Sequence, residues 1–393
     1  MAMNTTPTSN NNVPKVAVFY PYFAGGGAEC VGLWILEALK EKYDLTLVTL
    51  FPVDLQKLNI MYGTQLEPKN VQVRSLFGKV WQKPMDFLRA NSWKVRMWLI
   101  HLLLRYLKSR CQEYDLVISG YNAADLGSPG VQYIHWIKVL ESKPFYNRIS
   151  QFSIDRMKEN IAIANSQFVA NKYQESYNTK AQVVYPPVVM EVQEIPWEQK
   201  EDAFICSGRL TKPKSPHKAI EILRRVREKG FDIKLYLTGG GSGTYAFGYQ
   251  RFLQKIIDEN SDWVVLYKDL PYKEYIKVVS KCKYGIHCKP EPFGISIAEM
   301  VKANAVPFVK DRGGQVEIVG EENEDLLFRN PDRAVEKIVA LLSNPEQLQR
   351  VRASLQKRQT LFSSDRFTKE IQEVVGSSLA QKNQPQTPPT DSM

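Results

Sequence analysis

The sequence has few of the residues that build metal centres and disulfide frameworks. Its 393 residues include four histidines and five cysteines, and no two cysteines form a CxxC pair. An odd number of scattered cysteines predicts reduced thiols inside a cell. Because the histidines do not cluster with cysteines and no HExxH segment occurs, we expect neither a structural nor a catalytic zinc site.

Long apolar runs are also missing. No run approaches the ~20 residues that a membrane span requires. The opening segment, MAMNTTPTSNNNVP, has no basic patch followed by an apolar stretch and does not resemble a signal peptide. These absences predict a cytoplasmic protein, and the 44% hydrophobic and 24% charged content is typical of a soluble globular one.

Acidic residues are outnumbered, which leaves a formal net charge of +10. A basic protein favours an anionic partner, which could be nucleic acid, a membrane surface or a phosphorylated small molecule. No RNP, KH or zinc-finger pattern is present, so we expect no nucleic-acid partner. Charge alone does not choose between the other two.

What the chain does contain is a regular alternation of short apolar β-type runs with helical patterns. KVAVFY precedes the helical AECVGLWILEALKEKY, and the alternation restarts at AFICSGRL after the proline-containing stretch 181–202. This order predicts two α/β domains in tandem, each with a doubly wound parallel sheet. Ligands are then expected at the carboxyl ends of the strands and in the cleft between the domains.

The boundaries follow from composition, since both ends are rich in Asn, Thr, Gln and Pro and have little to bury. We predict a disordered N-terminus (1–12), a first domain (13–188), a linker (189–202), a second domain (203–362), a C-terminal helix returning to the first domain (363–380) and a disordered tail (381–393).

Three consecutive glycines (25–27) lie between the first predicted strand and its helix. Glycine lets a backbone approach a ligand closely, and a helix N-terminus attracts anions. The dinucleotide pattern GxGxxG fails at Cys30, and no P-loop sequence occurs. A tight turn without a ligand explains these glycines equally well, and the same ambiguity applies to TGGGSGT (238–244).

A basic pair follows the first strand of the second domain, in SGRLTKPKSPHKAI. The strand ends at Arg209, and Lys214 follows at the start of a helix. Two cations at a strand's carboxyl end beside a helix N-terminus suit a diphosphate. A solvated basic loop is the alternative, because Lys212 and Lys218 are close in sequence.

Two glutamates eight residues apart stand out in HCKPEPFGISIAEM (287–300). Pro292 and Gly294 disfavour helix, so Glu291 should lie on a loop and Glu299 early in the next helix. Carboxylates accept hydrogen bonds from vicinal sugar hydroxyls, and free loop N–H groups suit a phosphate. Alternatively, Glu291 is a surface residue and Glu299 a favourable charge near a helix start.

These segments resemble glycosyltransferase family 4. EPFGISIAE is similar to its E-x7-E signature, and AVPFVKDRGGQVEIV, GRLTKPK, GGGAE and VVYPPV match further segments in the expected order. The resemblance covers nearly the whole folded region. It implies an α/β protein of GT-B architecture, with two Rossmann-like doubly wound parallel-sheet domains facing a central cleft. The first would be the acceptor side and the second the nucleotide-sugar donor side.

The resemblance also assigns roles in the second domain. Arg209 and Lys214 would hold the donor diphosphate, Glu299 the ribose hydroxyls and Glu291 the hydroxyls of the transferred sugar. Backbone N–H groups would face the phosphates and sugar at Phe293, Gly294, Ile295 and Ser296. Two departures from the family are Ser215, where a glycine usually follows the lysine, and Asn304 or Ala305 in a turn that often has glycine.

In the first domain, the resemblance implies that Gly26 and Gly27 close over the reaction centre. His135, at the end of VQYIHW, would lie near the sugar and acceptor, so the implied catalytic set is Glu291, His135, Arg209 and Lys214. From the sequence alone, His135 could equally be a strand-end histidine with its hydrogen bonds satisfied.

The implied reaction is transfer of a hexose with retention at the anomeric carbon. The family needs no cofactor or obligatory metal, and this sequence contains no DxD. GGGAECVGLW and EPFGISIAEM are most similar to mannosyltransferase-like members, which makes GDP-mannose the first donor and a UDP-sugar the second. The acceptor would be a glycan or a lipid-linked acceptor in polysaccharide or glycolipid synthesis. A non-catalytic sugar-nucleotide-binding scaffold is the alternative of another class.

Residues 79–110 contain eight Lys or Arg, one acid and three tryptophans. Basic side chains interleaved with tryptophans suit an anionic bilayer surface, although a buried helix with a solvated basic face explains the pattern equally well. We expect the protein to bind the cytoplasmic membrane face peripherally.

Overall fold

The computed structural model describes residues 13–23, 25–141, 144–240 and 247–382. The predicted disordered N-terminus 1–12, residues 383–393 of the predicted tail, and the second glycine run beyond residue 240 lie outside the described residues.

The first domain is built on a parallel sheet of seven strands among the described residues, in the order β3-β2-β1-β4-β5-β6-β7. Helices cover both faces, which is why the central strands are apolar throughout, as Val16–Phe19 of β1 illustrate at 0% exposure. The strands are β1 (Lys15–Phe19), β2 (Asp44–Thr49), β3 (Val71–Ser75), β4 (Leu116–Ser119), β5 (Val131–Ile134), β6 (Ile161–Ala164) and β7 (Gln182–Val183).

The second domain repeats this plan with a parallel sheet of six described strands, in the order β10-β9-β8-β11-β12-β13. In each sheet the strand order reverses beside the first strand, which is the position where doubly wound folds bind ligands. The strands are β8 (Glu201–Ser207), β9 (Lys234–Gly239), β10 (Val264–Lys268), β11 (Cys282–His287), β12 (Val306–Lys310) and β13 (Leu327–Phe328).

The helices follow the strands as the alternating pattern predicts. Those of the first domain are α1 (Gly27–Leu39), α2 (Leu55–Tyr62), α3 (Gln82–Asn91), α4 (Trp93–Lys108), α5 (Pro144–Ser150), α6 (Ile154–Lys158) and α7 (Gln167–Tyr177). The later ones are α8 (Pro216–Arg227), α9 (Phe247–Asp258), α10 (Tyr272–Lys281), α11 (Ile295–Lys302), α12 (Gln315–Val319), α13 (Pro331–Leu342), α14 (Pro345–Arg358) and α15 (Ser364–Lys382).

The last helix, α15, returns to the first domain. Its apolar residues, including Phe367 and Ile371, join the core that contains β1 and α1. The side-chain amide of Gln372 donates to the Ala38 carbonyl oxygen at 2.7 Å. The end of the chain therefore ties the two domains together, because α15 follows directly on the helices of the second domain.

The basic, tryptophan-rich stretch forms α3 and α4. One face of α4 is buried against the first sheet, with Leu99 and Leu103 at 0% exposure. Trp93 (47% exposed) and Trp98 (40%) lie on the same helix, outside this buried set. Phe145, which is 64% exposed, packs edge to face on Tyr146, as does Trp93. Among the described residues, no helix combines the length and apolar character needed to cross a bilayer.

Candidate functional site

The predicted basic pair lies just beyond β8. Arg209 follows the strand, is exposed and makes no ion pair or side-chain hydrogen bond within the described residues. Lys214 ends a 3-10 turn (Lys212–Lys214) that leads into α8. Its Nζ lies 2.6 Å from Oε1 of Glu291. The structure therefore brings together a lysine and a glutamate that are 77 residues apart in sequence.

Glu291 lies on a loop, as the proline and glycine beside it predict. Hydrogen bonds between the Glu291 backbone and the RGGQ segment hold this loop in place. The backbone N–H of Glu291 donates to Oε1 of Gln315 at 2.7 Å, and its carbonyl accepts from the Gly314 N–H at 2.8 Å. A Cβ at Gly314 would lie 2.1 Å from the Pro292 carbonyl oxygen, so this position requires glycine. The glycine pair of the RGGQ segment thus supports the Glu291 loop.

The loop ends at the N-terminus of α11. Gly294 has φ of 113°, a backbone conformation that other residues rarely adopt. In the described structure, the backbone N–H groups of Ile295 and Ser296 have no partner. Two unpartnered N–H groups at the positive end of a helix dipole form a site suited to a phosphate or a sugar oxygen.

Glu299 lies one turn further along α11 and is 8% exposed. Its two carboxylate oxygens accept from the hydroxyls of Tyr272 (3.0 Å) and Tyr275 (2.8 Å) on α10. Desolvation by burial raises the pKa of Glu299 to about 7, although the two tyrosine hydrogen bonds oppose this. Each oxygen keeps a further lone pair, which a ribose hydroxyl could use.

The glycine loop of the first domain is already hydrogen-bonded. The Gly25 N–H donates to Oε2 of Glu29 at 2.8 Å, and the Gly26 N–H donates to the Tyr62 hydroxyl at 3.0 Å. The Tyr62 hydroxyl in turn donates to Glu29 at 2.9 Å. These backbone N–H groups are thus hydrogen-bonded within the first domain. Among the three glycines, only Gly25 has a left-handed backbone, with φ of 88°.

Gly27 begins α1 and touches the second domain. A Cβ at Gly27 would lie 2.6 Å from Cδ1 of Ile295, so a side chain at position 27 would require the Ile295 side chain to shift. The structure therefore places the Gly26–Gly27 corner directly opposite the start of α11, with the Glu291 loop close by.

His135 follows β5 on the first domain. Its Nε2 lies 3.0 Å from the Gly120 carbonyl oxygen; since a carbonyl only accepts, Nε2 carries the proton and Nδ1 remains an acceptor. Burial lowers the pKa of His135 to about 4. The ring is therefore neutral at physiological pH, with a fixed tautomer.

Several residues of this site were not identified from sequence. Tyr272 and Tyr275 belong to none of the motifs described above, and Gln315 belongs to one only as part of AVPFVKDRGGQVEIV. His287 belongs to no metal-ligand pattern in the sequence, yet it is 3% exposed and its Nε2 lies 3.6 Å from Oε1 of Glu291. The i, i+3 spacing of the two tyrosines was the one usable signal.

In the part of the chain that the structure describes, metal-ligating side chains do not gather at this cleft. Within the described residues, no group of three or more His, Cys, Asp or Glu has a geometry suited to a metal ion. Lys214 places a positive charge against the Glu291 carboxylate, with Nζ 2.6 Å from Oε1.

One segment of the chain, mostly in the second domain, matches a family model. Residues 191–358 match the family model described as glycosyl transferases group 1. This match covers most of the linker, the basic pair, both glutamates and the glycine pair. A comparison with curated proteins returns no match to this sequence.

Solved structures match over both domains. A complex of Anabaena Alr3699/HepE with UDP and glucose superposes with a TM-score of 0.66 at 16% identity, covering 93% of this chain and 100% of the other. A glycosyltransferase from Rickettsia africae gives 0.67 at 13% identity, covering 95% and 100%. WaaG, a glycosyltransferase involved in lipopolysaccharide biosynthesis, gives 0.63 at 14%, covering 92% and 100%. These matches confirm the predicted α/β, GT-B fold class.

Proposed function

We propose that this protein transfers a hexose from a nucleoside-diphosphate sugar to a glycan or lipid-linked acceptor. The observation that carries the proposal is the contact of Lys214 with Glu291 beside the unpartnered N–H groups of α11. A lysine, a carboxylate and a helix N-terminus at one strand edge provide separate partners for a diphosphate and for sugar hydroxyls. This arrangement lies inside the segment that matches the glycosyltransferase family model.

The leaving nucleoside diphosphate would be stabilised by positive charge. Lys214 would exchange its contact with Glu291 for a phosphate oxygen, and Arg209, exposed and unpaired among the described residues, would reach a second one. The N–H groups of Ile295 and Ser296 would supply further donors. Preorganised donors of this kind stabilise charge that develops in a transition state, and here they would take the role of a metal ion.

Once Lys214 turns to the diphosphate, the Glu291 carboxylate is free to accept from hydroxyls of the transferred sugar. His135 would face the sugar from the opposite domain with a neutral ring. Its Nδ1 can accept a hydrogen bond but cannot donate one, which suits an acceptor or donor hydroxyl. Retention at the anomeric carbon is supported by the resemblance to family 4.

The donor base has two candidates. GDP-mannose is favoured by the similarity of the glycine loop and of EPFGISIAEM to mannosyltransferase-like enzymes. A UDP-sugar is favoured by the similar solved structures, since Alr3699/HepE holds UDP in one crystal and UDP-glucose in another. Both donors share the ribose and diphosphate that the site would bind.

Calorimetric titration with UDP and with GDP distinguishes these donors. We expect one nucleotide to bind selectively and Glu299→Ala to abolish or strongly weaken that binding. The matched control is Glu274→Ala, which removes an exposed carboxylate on α10 that pairs with Lys277. Binding without any donor turnover would support the scaffold alternative, and no binding to either nucleotide would contradict the proposed donor class.

A membrane surface is a further proposed partner, and the aromatic–basic face supports it. This face consists of Trp93, Trp98, Phe145, Lys94 and Arg105, all of them exposed. Exposed aromatic rings beside basic side chains suit the headgroup region of an anionic bilayer. Peripheral binding there would bring the enzyme to a lipid-linked acceptor.

A further inference from the structure

One short segment contacts both sides of the cleft. The bridging segment, Asn165–Phe168, follows β6 and begins α7. The Asn165 side-chain amide donates to the His135 carbonyl oxygen at 3.3 Å, within the first domain. The next residue, Ser166, donates its hydroxyl to the Pro292 carbonyl oxygen at 2.6 Å, across the cleft. Adjacent residues thus contact the backbone of His135 and the loop of Glu291.

Glu317 makes a second set of contacts across the cleft. Its carboxylate, on α12 of the second domain, accepts from the backbone N–H groups of Gln167 (2.7 Å) and Phe168 (2.8 Å). It also accepts from the Tyr185 hydroxyl at 3.0 Å. The first N–H groups of a helix have no partner within that helix, and its N-terminus is partially positive. A carboxylate of one domain therefore caps a helix of the other.

Removing the Glu317 carboxylate from water costs free energy, so its contact with α7 is not an incidental surface pair. Glu317 is half-buried and, among the described residues, has no lysine or arginine within ion-pair distance. Burial raises its pKa above the ordinary value for glutamate, while the two N–H groups and the Tyr185 hydroxyl act in the opposite direction. A desolvated carboxylate is tolerated only where such donors are fixed in place. The geometry thus depends on the two domains meeting in this register.

The same segment supports the acceptor side through a ring contact. Phe168 stacks on Trp136, with ring centroids 6.1 Å apart and planes 28° from parallel. Trp136 follows His135 directly, and the backbone N–H groups of both residues donate to Oδ1 of Asn122, at 3.0 and 2.9 Å. A shift of α7 would therefore displace Phe168, the ring that packs against the turn carrying His135.

We propose that Ser166 and Glu317 are positioning residues, which hold the Glu291 loop of the donor domain at a fixed distance from His135 of the acceptor domain. The inference rests on the proposed function, because it assigns these two residues to the site that would perform the transfer. Neither residue touches substrate. Their loss should slow the transfer step while leaving nucleotide binding intact, since misplacement of reacting groups costs rate more than ground-state affinity.

The decisive variant is Glu317→Gln, because its amide nitrogen would face a backbone N–H in place of an acceptor oxygen. We expect kcat to fall about tenfold or more, with the calorimetric Kd for the nucleotide within about twofold of wild type.

Ser166→Ala should act in the same direction and Ser166→Thr should restore activity, because threonine keeps the hydroxyl. The matched control is Glu322→Gln, which removes a carboxylate near α12 that pairs with Arg358 inside the second domain. Unchanged kcat in Glu317→Gln, or an equal loss in the control, would overturn the proposal.

Hydrogen exchange provides a readout that does not depend on turnover. Glu317→Gln should speed exchange at the Gln167 and Phe168 N–H groups by about tenfold. The Val169 N–H, which donates to Ser166 Oγ within the first domain, should stay protected. Unchanged protection at Gln167 and Phe168 would show that the contact does not hold in solution and would overturn the proposal. If the wild type binds no nucleotide, the proposed function fails, and this measurement separates that failure from a failure of the contact.

Discussion

The two domains share one topology, but the sequence predicts the function of the second domain more readily than that of the first. The family model matches 191–358, which contains most of the linker and most of the second domain, whereas the first domain is matched only through whole-chain structural similarity. A diphosphate and a ribose are common to every nucleotide sugar, so the residues that bind them recur in short segments. Acceptors differ from one enzyme to the next, and the surface that binds them carries no comparable pattern. Under the proposed function, the donor side is therefore easier to recognise from sequence than the acceptor side.

The comparison predicts its largest effect in the second domain. Lys214→Ala should lower kcat about 10²- to 10³-fold, because it removes a preorganised cation from the leaving diphosphate. Initial rates of donor consumption measure this directly. Lys212→Ala, an exposed lysine in the same 3-10 turn, is the control and should retain activity. A loss of activity in Lys212→Ala but not in Lys214→Ala would contradict the role proposed for Lys214.

The first domain should respond in membrane binding. Replacing Lys94, Arg96 and Arg105 with glutamate should weaken partition onto anionic vesicles about 100-fold, since each basic residue near such a surface contributes about 1 kcal/mol. Co-sedimentation with vesicles containing phosphatidylserine measures it.

The matched control for this experiment lies in the other domain. Lys229, Lys255 and Lys357 are exposed, and reversing their charge changes the net charge by the same amount. Equal losses in both triple variants would mean that overall charge, and not the aromatic–basic face, drives binding. Unchanged co-sedimentation in the first variant would contradict a membrane role for this face.

The fold was predictable from the sequence because each strand–helix unit has its own hydrophobic periodicity, which local residues determine. It also placed Glu291 on a loop and Glu299 within the next helix, since Pro292 and Gly294 act locally. It did not reach the Lys214–Glu291 pair or the contacts of Glu317. Those depend on how residues 77 or about 150 positions apart meet once two domains have folded, and no local pattern encodes that.

A third prediction concerns the pH dependence of donor binding. Burial raises the pKa of Glu299 to about 7, and a protonated carboxyl group has lost one of the acceptors that ribose hydroxyls need. Affinity for the nucleotide sugar should therefore fall about tenfold from about pH 8 to about pH 6. The two histidines of the site should not contribute, because burial lowers the pKa of both His135 and His287 to about 4.

Glu299→Gln sharpens this test. The variant should bind the nucleotide sugar more weakly and with no pH dependence in this range, as measured by calorimetry at several pH values. The intact nucleotide sugar is the right probe, because its diphosphate lacks the terminal phosphate proton that titrates in free UDP or GDP. A pH dependence that persists in Glu299→Gln would assign the titration to another group.

The smallest effect is expected from metal removal. If Arg209, Lys214 and the N–H groups of α11 supply the charge that stabilises the leaving group, excess EDTA should leave the transfer rate within about twofold of the untreated enzyme. Adding Mg²⁺ or Mn²⁺ to Lys214→Ala makes the test stricter, because a divalent cation near the diphosphate could replace the missing charge. Partial rescue would support a purely electrostatic role for Lys214. Loss of wild-type activity in EDTA would instead show that the cations of the second domain do not suffice, and that a metal works beside them.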